Sequence, residues 1–320
     1  MNAVRGELAP ILEALQIHDA SGFSFQGETF ALSSGNEAEG KLRDLLYERC
    51  YMRRINTAQE QRYSTGEGNS LVAELQASNA ARSRWQSGWR IESVQNGGWI
   101  SAKRDGIKRT FAPGEFITKE GPGMPLRTGA NVDVYFAVES THMQPGFYFA
   151  FGETVADESD GNSLLRFYWH LDPAGAPLLL HSLSTLLNRF QVPYRFKCLT
   201  HPGAYVRTDS AVLFVTSRWY QIAARLLRDA RRSVAVHLRP ESPLFTKALT
   251  AGLAFAEDPG GNQSFGMHRC TALAKTIFDV AQSCGALPVS EVEERLAERG
   301  ISVPFPYLNP GSVDIYEFVA

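Results

Sequence analysis

Residues 164–209 read LLRFYWHLDPAGAPLLLHSLSTLLNRFQVPYRFKCLTHPGAYVRTD, and this stretch decides the fold class. Two aromatic-rich strand-like runs flank one periodic apolar helix, with Pro/Gly turns beside it, and YVRTD reads as a further strand. Side chains alternate along a strand, so Arg166, Tyr168 and His170 share a face while Phe167, Trp169 and Leu171 take the other. By the same rule Arg195 and Lys197 share a face opposite Tyr194, Phe196 and Cys198, and Arg207 shares one with Asp209. If the apolar faces line one core, a cluster of Arg, His and Lys collects on the opposite side.

Outward from this stretch, residues 176–190 form the helix, with Leu179, Leu183, Leu186, Leu187 and Phe190 along one side. Residues 211–215 read as a buried strand and 218–232 as a basic amphipathic helix. The apolar run 245–257 fits either strand or helix. Ser264 is placed to cap a helix, a last helix spans 290–299, and Pro304, Pro306 and Pro310 mark an extended tail. Upstream, helical periodicity covers 1–18, 37–54 and 71–85, with a Gly/Ser-rich loop over 21–40. Short strands at 89–94, 99–104 and 108–111 are separated by NGG and DG, both strong hairpin signals. A Pro/Gly-rich loop at 113–129 precedes strands at 132–139 and 147–153. Frequent hairpins without strict βαβ alternation indicate an α+β fold, a largely antiparallel sheet with flanking helices. The expected division is a helical and hairpin part over 1–130, for peptide or partner binding, and a core over 131–320 with a C-terminal helix and tail.

The chain has 320 residues, 44% hydrophobic and 21% charged, the proportions of an ordinary globular protein. Its net charge of -2 gives no global drive toward nucleic acid or a membrane surface, so the basic cluster must act locally on a small anion. Cys50, Cys198, Cys270 and Cys284 are widely spaced without a CxxC pair, a reduced, cytoplasmic pattern. The N-terminal stretch does not read as a signal peptide, and no window is apolar enough to span a bilayer.

Each candidate has a plain reading beside its chemical one. Lys197 is either a solvated strand lysine or an amine desolvated beside cations, and both desolvation and cations lower its pKa toward that of a general base. His170 is either a structural residue or a proton donor oriented by Tyr168. Arg207 either pairs with Asp209 or clamps phosphate, a task that suits arginine geometry. Around Glu257 to Arg269 a Gly-rich turn meets a helix start, an anion-site pattern that Arg269 or His268 could close. Lys247 stands alone in an apolar run, where Glu257 or Asp258 would be its ordinary partner. Cys198 with His201, or His268 with Cys270, does not match a zinc spacing, and the glycine segment lacks the GxSxG elbow.

Together RFYWHLDPAGAPLLLHSLSTLLNRFQVPYRFKCL, YVRTDSAVLF, PLFTKAL, GLAFAEDPGG and SFGMHRC resemble the HopA-type effector family. The likeness is dense from Leu164 to about Ala281, and looser over LLYERCYMRR and GFYFAFGE. It implies kinship with the HopA-like lyases of class V lanthipeptide and thioamitide biosynthesis, and a remote one with phosphothreonine lyases. The HopA-like lyases act on a ribosomal precursor peptide whose Ser/Thr a kinase-like partner has phosphorylated, and eliminate phosphate to leave a dehydroamino acid. The resemblance implies Lys197 as base, His170 as acid, and Arg207 and Arg269 at phosphate. Beside these, Lys247, Arg166 and His268 are further phosphate candidates from the residues themselves, Tyr168 is expected to orient His170, and Tyr47 and Arg53 are expected to face the peptide or partner. Elimination needs neither metal nor other cofactor. The competing expectation is a non-catalytic effector whose basic face binds a phosphorylated or acidic partner surface.

Overall fold

The computed structural model describes residues 3–53, 65–120, 124–261 and 263–318. Helix α1 (Ala3–Glu13) leads into a three-stranded antiparallel sheet of β1 (Leu15–Ile17), β2 (Gly22–Phe25) and β3 (Glu28–Ala31). The expected loop over 21–40 is therefore partly a hairpin. Its turn is Gln26-Gly27, both at positive φ (52° and 83°), which suits the twist of paired strands although Gln is not a usual turn residue. Helix α2 (Gly35–Leu46) begins where Ser34 Oγ accepts from Glu37 N–H and Glu37 in turn accepts from Ser33 N–H. It continues into a π-helical turn, Tyr47–Tyr51, closed by Met52 N–H donating to the Tyr47 carbonyl at 2.9 Å.

Helix α3 (Thr65–Ser78) ends seven residues before Trp85, which the sequence had placed in the same helix. Trp85 belongs to β4 (Arg84–Val94), where it pairs with Tyr135 across the ladder. Strands β5 (Ile100–Arg104), β6 (Ile107–Phe111), β7 (Phe116–Thr118) and β8 (Asn131–Phe136) complete a five-stranded antiparallel sheet in the order β6-β5-β4-β8-β7. The DG turn stands between β5 and β6 as the hairpin signal requires, with Asp105 and Gly106 at φ 49° and 84°.

The remaining strands are β9 (Glu139–Ser140), β10 (Phe147–Phe151), β11 (Leu164–Trp169), β12 (Arg195–Leu199), β13 (Ala211–Thr216), β14 (Lys247–Thr250) and β15 (Leu253–Glu257). They form a seven-stranded sheet, β14-β15-β11-β13-β12-β10-β9, with every neighbouring pair antiparallel. Four helices accompany it: α4 (Gly175–Arg189), α5 (Tyr220–Ser233), α6 (Phe265–Cys284) and α7 (Val289–Glu298). The α+β class with a largely antiparallel sheet holds, and the ambiguous run 245–257 resolves into the hairpin β14–β15.

The sheet's two faces meet different helices. Phe167 stacks on Tyr220 of α5 at 6.2 Å, so that face of β11 meets α5, which packs on α4. On the other face Tyr168 meets Phe265 of α6, and α6 packs on α2. β13 is buried at every position because both sides are covered. The apolar core joins α1, α2, the π-turn and α3 to this large sheet, whereas β4–β8 close on a smaller core of their own around Trp89, Ile100 and Phe111. No described helix is long and apolar enough to cross a membrane.

Candidate functional site

The β ladders place the basic residues on common rungs. Lys197 stands opposite Val212, and Val212 opposite Tyr168; Arg195 stands opposite Phe214, and Phe214 opposite Arg166. Residues paired across an antiparallel ladder share a face. Arg166, Tyr168, Arg195 and Lys197 therefore look toward the side of the sheet that carries α6 and the π-turn. Two aromatic rings hold the cations in place: Arg195 lies 4.5 Å and Arg166 5.2 Å from the Phe214 centroid. Lys197 Nζ lies 4.4 Å from that of Phe147, with the Arg207 guanidinium at 6.0 Å on the same ring.

Lys197 is half-buried and donates to Gln144 Oε1 at 3.1 Å. Burial is the main influence that lowers its pKa, to about 8; Asp209 opposes the shift, while Arg166, Arg207 and Arg195 add to it. Arg166 is tied to Asp258 through Nε at 2.7 Å and Nη2 at 2.6 Å. Arg195 has no ion pair among the described residues, and its buried Nε has no hydrogen-bond partner there.

Arg207 is not on a strand. Residues 206–209 form a loop because Thr208 N–H and Oγ1 both donate to the Met52 carbonyl, pinning the segment to the end of the π-turn. From that loop Arg207 grips Asp209 with Nε and Nη2, and Nη2 also donates to Tyr47 Oη at 3.1 Å. Burial alone would weaken the Arg207 charge, but Asp209 overrides it and holds the guanidinium firmly protonated. Tyr47 stacks on Tyr51 at 5.2 Å, and burial followed by the charge of Asp209 raises its phenol to about 12. The π-turn thus delivers Tyr47 to the basic cluster, in keeping with the frequent use of such turns at functional sites.

His170 is buried on the same face, one step beyond the end of β11. Its Nδ1 lies 3.2 Å from the Glu241 carbonyl, which can only accept, and 3.4 Å from the Glu241 carboxylate, so Nδ1 carries a proton, while Nε2 is buried with no hydrogen-bond partner among the described residues. Burial lowers its pKa, against the opposing pull of Glu241. Burial thus disfavours the charged ring that the expected proton donor would need. The Tyr168 hydroxyl is buried, and the side chains that bear on it are Arg166, Tyr51 and Asp209 rather than His170.

Three other expected phosphate ligands are engaged elsewhere. Lys247 faces the opposite side of the sheet, opposite Phe255, and binds both Asp314 oxygens (2.9 and 2.7 Å) and the Tyr316 carbonyl (2.8 Å). Its partner is the tail rather than Glu257 or Asp258. Arg269 is 1% exposed and donates to the carbonyls of Pro306 and Leu308, each at 2.8 Å, and to His268 Nδ1 at 2.9 Å. Burial brings its pKa down to about 10 and lowers that of His268 as well. Arg269 is accordingly occupied in fastening the tail, and His268 in accepting from Arg269. Arg53 pairs with Glu7 of α1, and Arg54 onward to 64 lies outside the described residues.

Asp209 is the residue whose importance the sequence understated. It touches Arg207 and bears electrostatically on Lys197, His170, Tyr47 and Tyr168. Arg195, two residues from Lys197 on one face, was legible only as a neighbour, and Phe147 was visible only as part of an aromatic strand. Among the described residues no group of three or more His, Cys, Asp or Glu side chains is arranged to hold a metal ion. The arrangement offers a proton acceptor, several fixed positive charges and an aromatic floor.

A family model described as the HopA1 effector protein family matches residues 138–308, more than half of the chain and the whole basic cluster. No curated protein matches. Two solved structures are similar in shape: an effector protein from Pseudomonas syringae pv. tomato strain DC3000, at TM-score 0.48 and 16% identity, covers 86% of this chain and 95% of its own. A second, from Pseudomonas syringae pv. syringae strain 61, has TM-score 0.47 and 17% identity, with 86% and 93% covered. By the family match, this chain belongs to the HopA1 effector protein family.

Proposed function

We propose that the protein is a phosphoserine/phosphothreonine lyase that eliminates phosphate from a ribosomal precursor peptide, leaving dehydroalanine or dehydrobutyrine. One observation carries the reading: a half-buried lysine amine, brought to about 8, shares a sheet face with Arg166 and Arg195 and an aromatic ring with Arg207. In this scheme neutral Lys197 takes the Cα proton, the C–H electron pair becomes the Cα=Cβ bond, and the Cβ–O bond breaks. The oxygen leaves with its electrons as part of phosphate, which Arg195 and the remaining Nη1 of Arg207 hold, with Arg166 adding charge behind them. Charge stabilisation of the leaving group replaces the proton expected from His170. Phe147 forms the floor under the substrate, and Tyr47 sets the Arg207 fork. Neither metal nor other cofactor enters the scheme. A kinase-like partner would supply the phosphorylated peptide in the cytoplasm, and residues 1–130 would contact that peptide or partner.

A second reading is favoured by the effector family and by the burial that disfavours a charged His170: the same basic face binds a phosphorylated or acidic partner without chemistry. Mass spectrometry of a phosphothreonine peptide incubated with the protein separates the two. Loss of phosphoric acid supports the lyase; gain of a hydroxyl in place of phosphate, or an unchanged mass, rejects it.

A further inference from the structure

The proposed chemistry leaves unused a cleft of about 770 Å³ at the other end of α6, between β1 with its following turn and the C-terminal turn of α6. β1 is an edge strand of its sheet. Gln26 N–H donates to the Ala14 carbonyl and His18 N–H to the Gly22 carbonyl, each at 3.0 Å, and Gln16 is registered with Ser24 between them. Even-numbered residues therefore bond toward β2. The N–H and C=O of Leu15 and Ile17 point away from it, and both residues line the cleft. No described strand pairs with that edge.

The floor is apolar, with Leu12 and Phe278 buried beneath the opening. The rim is acidic: Glu13, Asp19, Glu39 and Asp279 line it, and no Lys or Arg does. Asp19 is engaged by Ser21, and Asp279 by Arg299. Glu13 and Glu39 have no ion pair among the described residues. An outward row of backbone donors and acceptors, an apolar floor and uncompensated negative charge together describe a site for an added strand.

We propose that this cleft docks an extended peptide segment of a separate polypeptide, alternating apolar and Lys/Arg residues and pairing with β1 as an additional antiparallel or parallel strand. The apolar side chains would face Leu12 and Phe278 and the cations Glu13 and Glu39. The inference stands independently of the elimination chemistry.

The test is fluorescence anisotropy of the full chain with a labelled peptide of roughly eight residues alternating Val and Lys. Saturable binding should fall at least ~10-fold in Glu13→Lys/Glu39→Lys. With the unaltered protein, N-methylation of alternate peptide residues should abolish binding in one parity and spare it in the other. Amide exchange at Leu15 and Ile17 should slow in the complex. No binding, binding indifferent to N-methyl parity, or binding indifferent to charge reversal would overturn the proposal; the parity arm needs no variant to fold. On a phosphopeptide too short to reach from the basic cluster into this cleft, the double variant should still eliminate phosphate at the unaltered rate, because neither Glu13 nor Glu39 belongs to that cluster. Loss of docking with elimination intact rejects this inference alone, and docking without elimination rejects the lyase alone.

Discussion

Asp209 decides how the basic residues behave. It opposes the lowering of Lys197 and holds the Arg207 fork, so Asp209→Asn acts on both. Removing a charge that favours the ammonium lowers the Lys197 pKa further. In the unaltered protein the elimination rate should climb with pH through about 8, as the amine loses its proton. In Asp209→Asn that rising limb should move to lower pH, and a pH–rate profile of both proteins checks it. Stability follows the same sign. Lys197 binds a proton more weakly folded (about 8) than unfolded (10.5), so its penalty is complete below about 8 and gone above 10.5. His170→Gln should leave elimination within about 10-fold, because no proton from Nε2 is used; a loss near the general-acid range of about 10²–10⁴-fold would restore the donor role. The alternation of strand side chains made Arg166, Arg195 and Lys197 legible as one group. Arg269 and Lys247 were misjudged for a physical reason: their partners, Pro306, Leu308 and Asp314, lie far along the chain in an extended tail with no periodicity to read.

Among the elements, that tail engages charged side chains from β14, β15 and α6. It takes the Arg269 and Lys247 donors, and its Tyr316 hydroxyl donates to Glu257 at 2.7 Å. Truncation after Ser302 would strand Arg269 and Glu257, both buried, without partners. Breaking one such buried pair costs about 3–5 kcal/mol, so the truncated chain should be insoluble or melt far earlier, as soluble yield and thermal unfolding would show. The Arg166–Asp258 pair is also buried, and Asp258→Asn should cost a similar ~3–5 kcal/mol in urea unfolding. The hairpin DG, the Ser264 cap and the helix over 176–190 were all legible because local chemistry fixes them. The π-turn was not, since helical spacing continues across it and only the pinning of Thr208 to Met52 reveals its use. Gly266 shows how closely it is packed. A Cβ there would collide with the Tyr51 ring, so Gly266→Ala should cost ~1–3 kcal/mol and disturb Tyr47 with it.

Across the molecule, two apolar cores of unequal size imply unequal resistance to opening. β4–β8 have the smaller core and join the rest through polar contacts such as Lys108 N–H to Asp157 and Thr110 to Glu158. Native-state hydrogen exchange should show their amides opening at lower denaturant than those of β11, β13 and β12. The α+β class could be read from frequent hairpins and the absence of βαβ alternation. The strand order could not, because β11 sits between β13 and β15 through long-range ladders that leave no local mark. That order is what brings Lys197 beside its arginines. The most direct test of the lyase account is therefore Lys197→Ala, compared with the unaltered protein on one phosphothreonine peptide, with binding and product mass followed together. The account predicts retained binding and loss of elimination by about 10²–10⁴-fold. Elimination at the unaltered rate in the variant would contradict it.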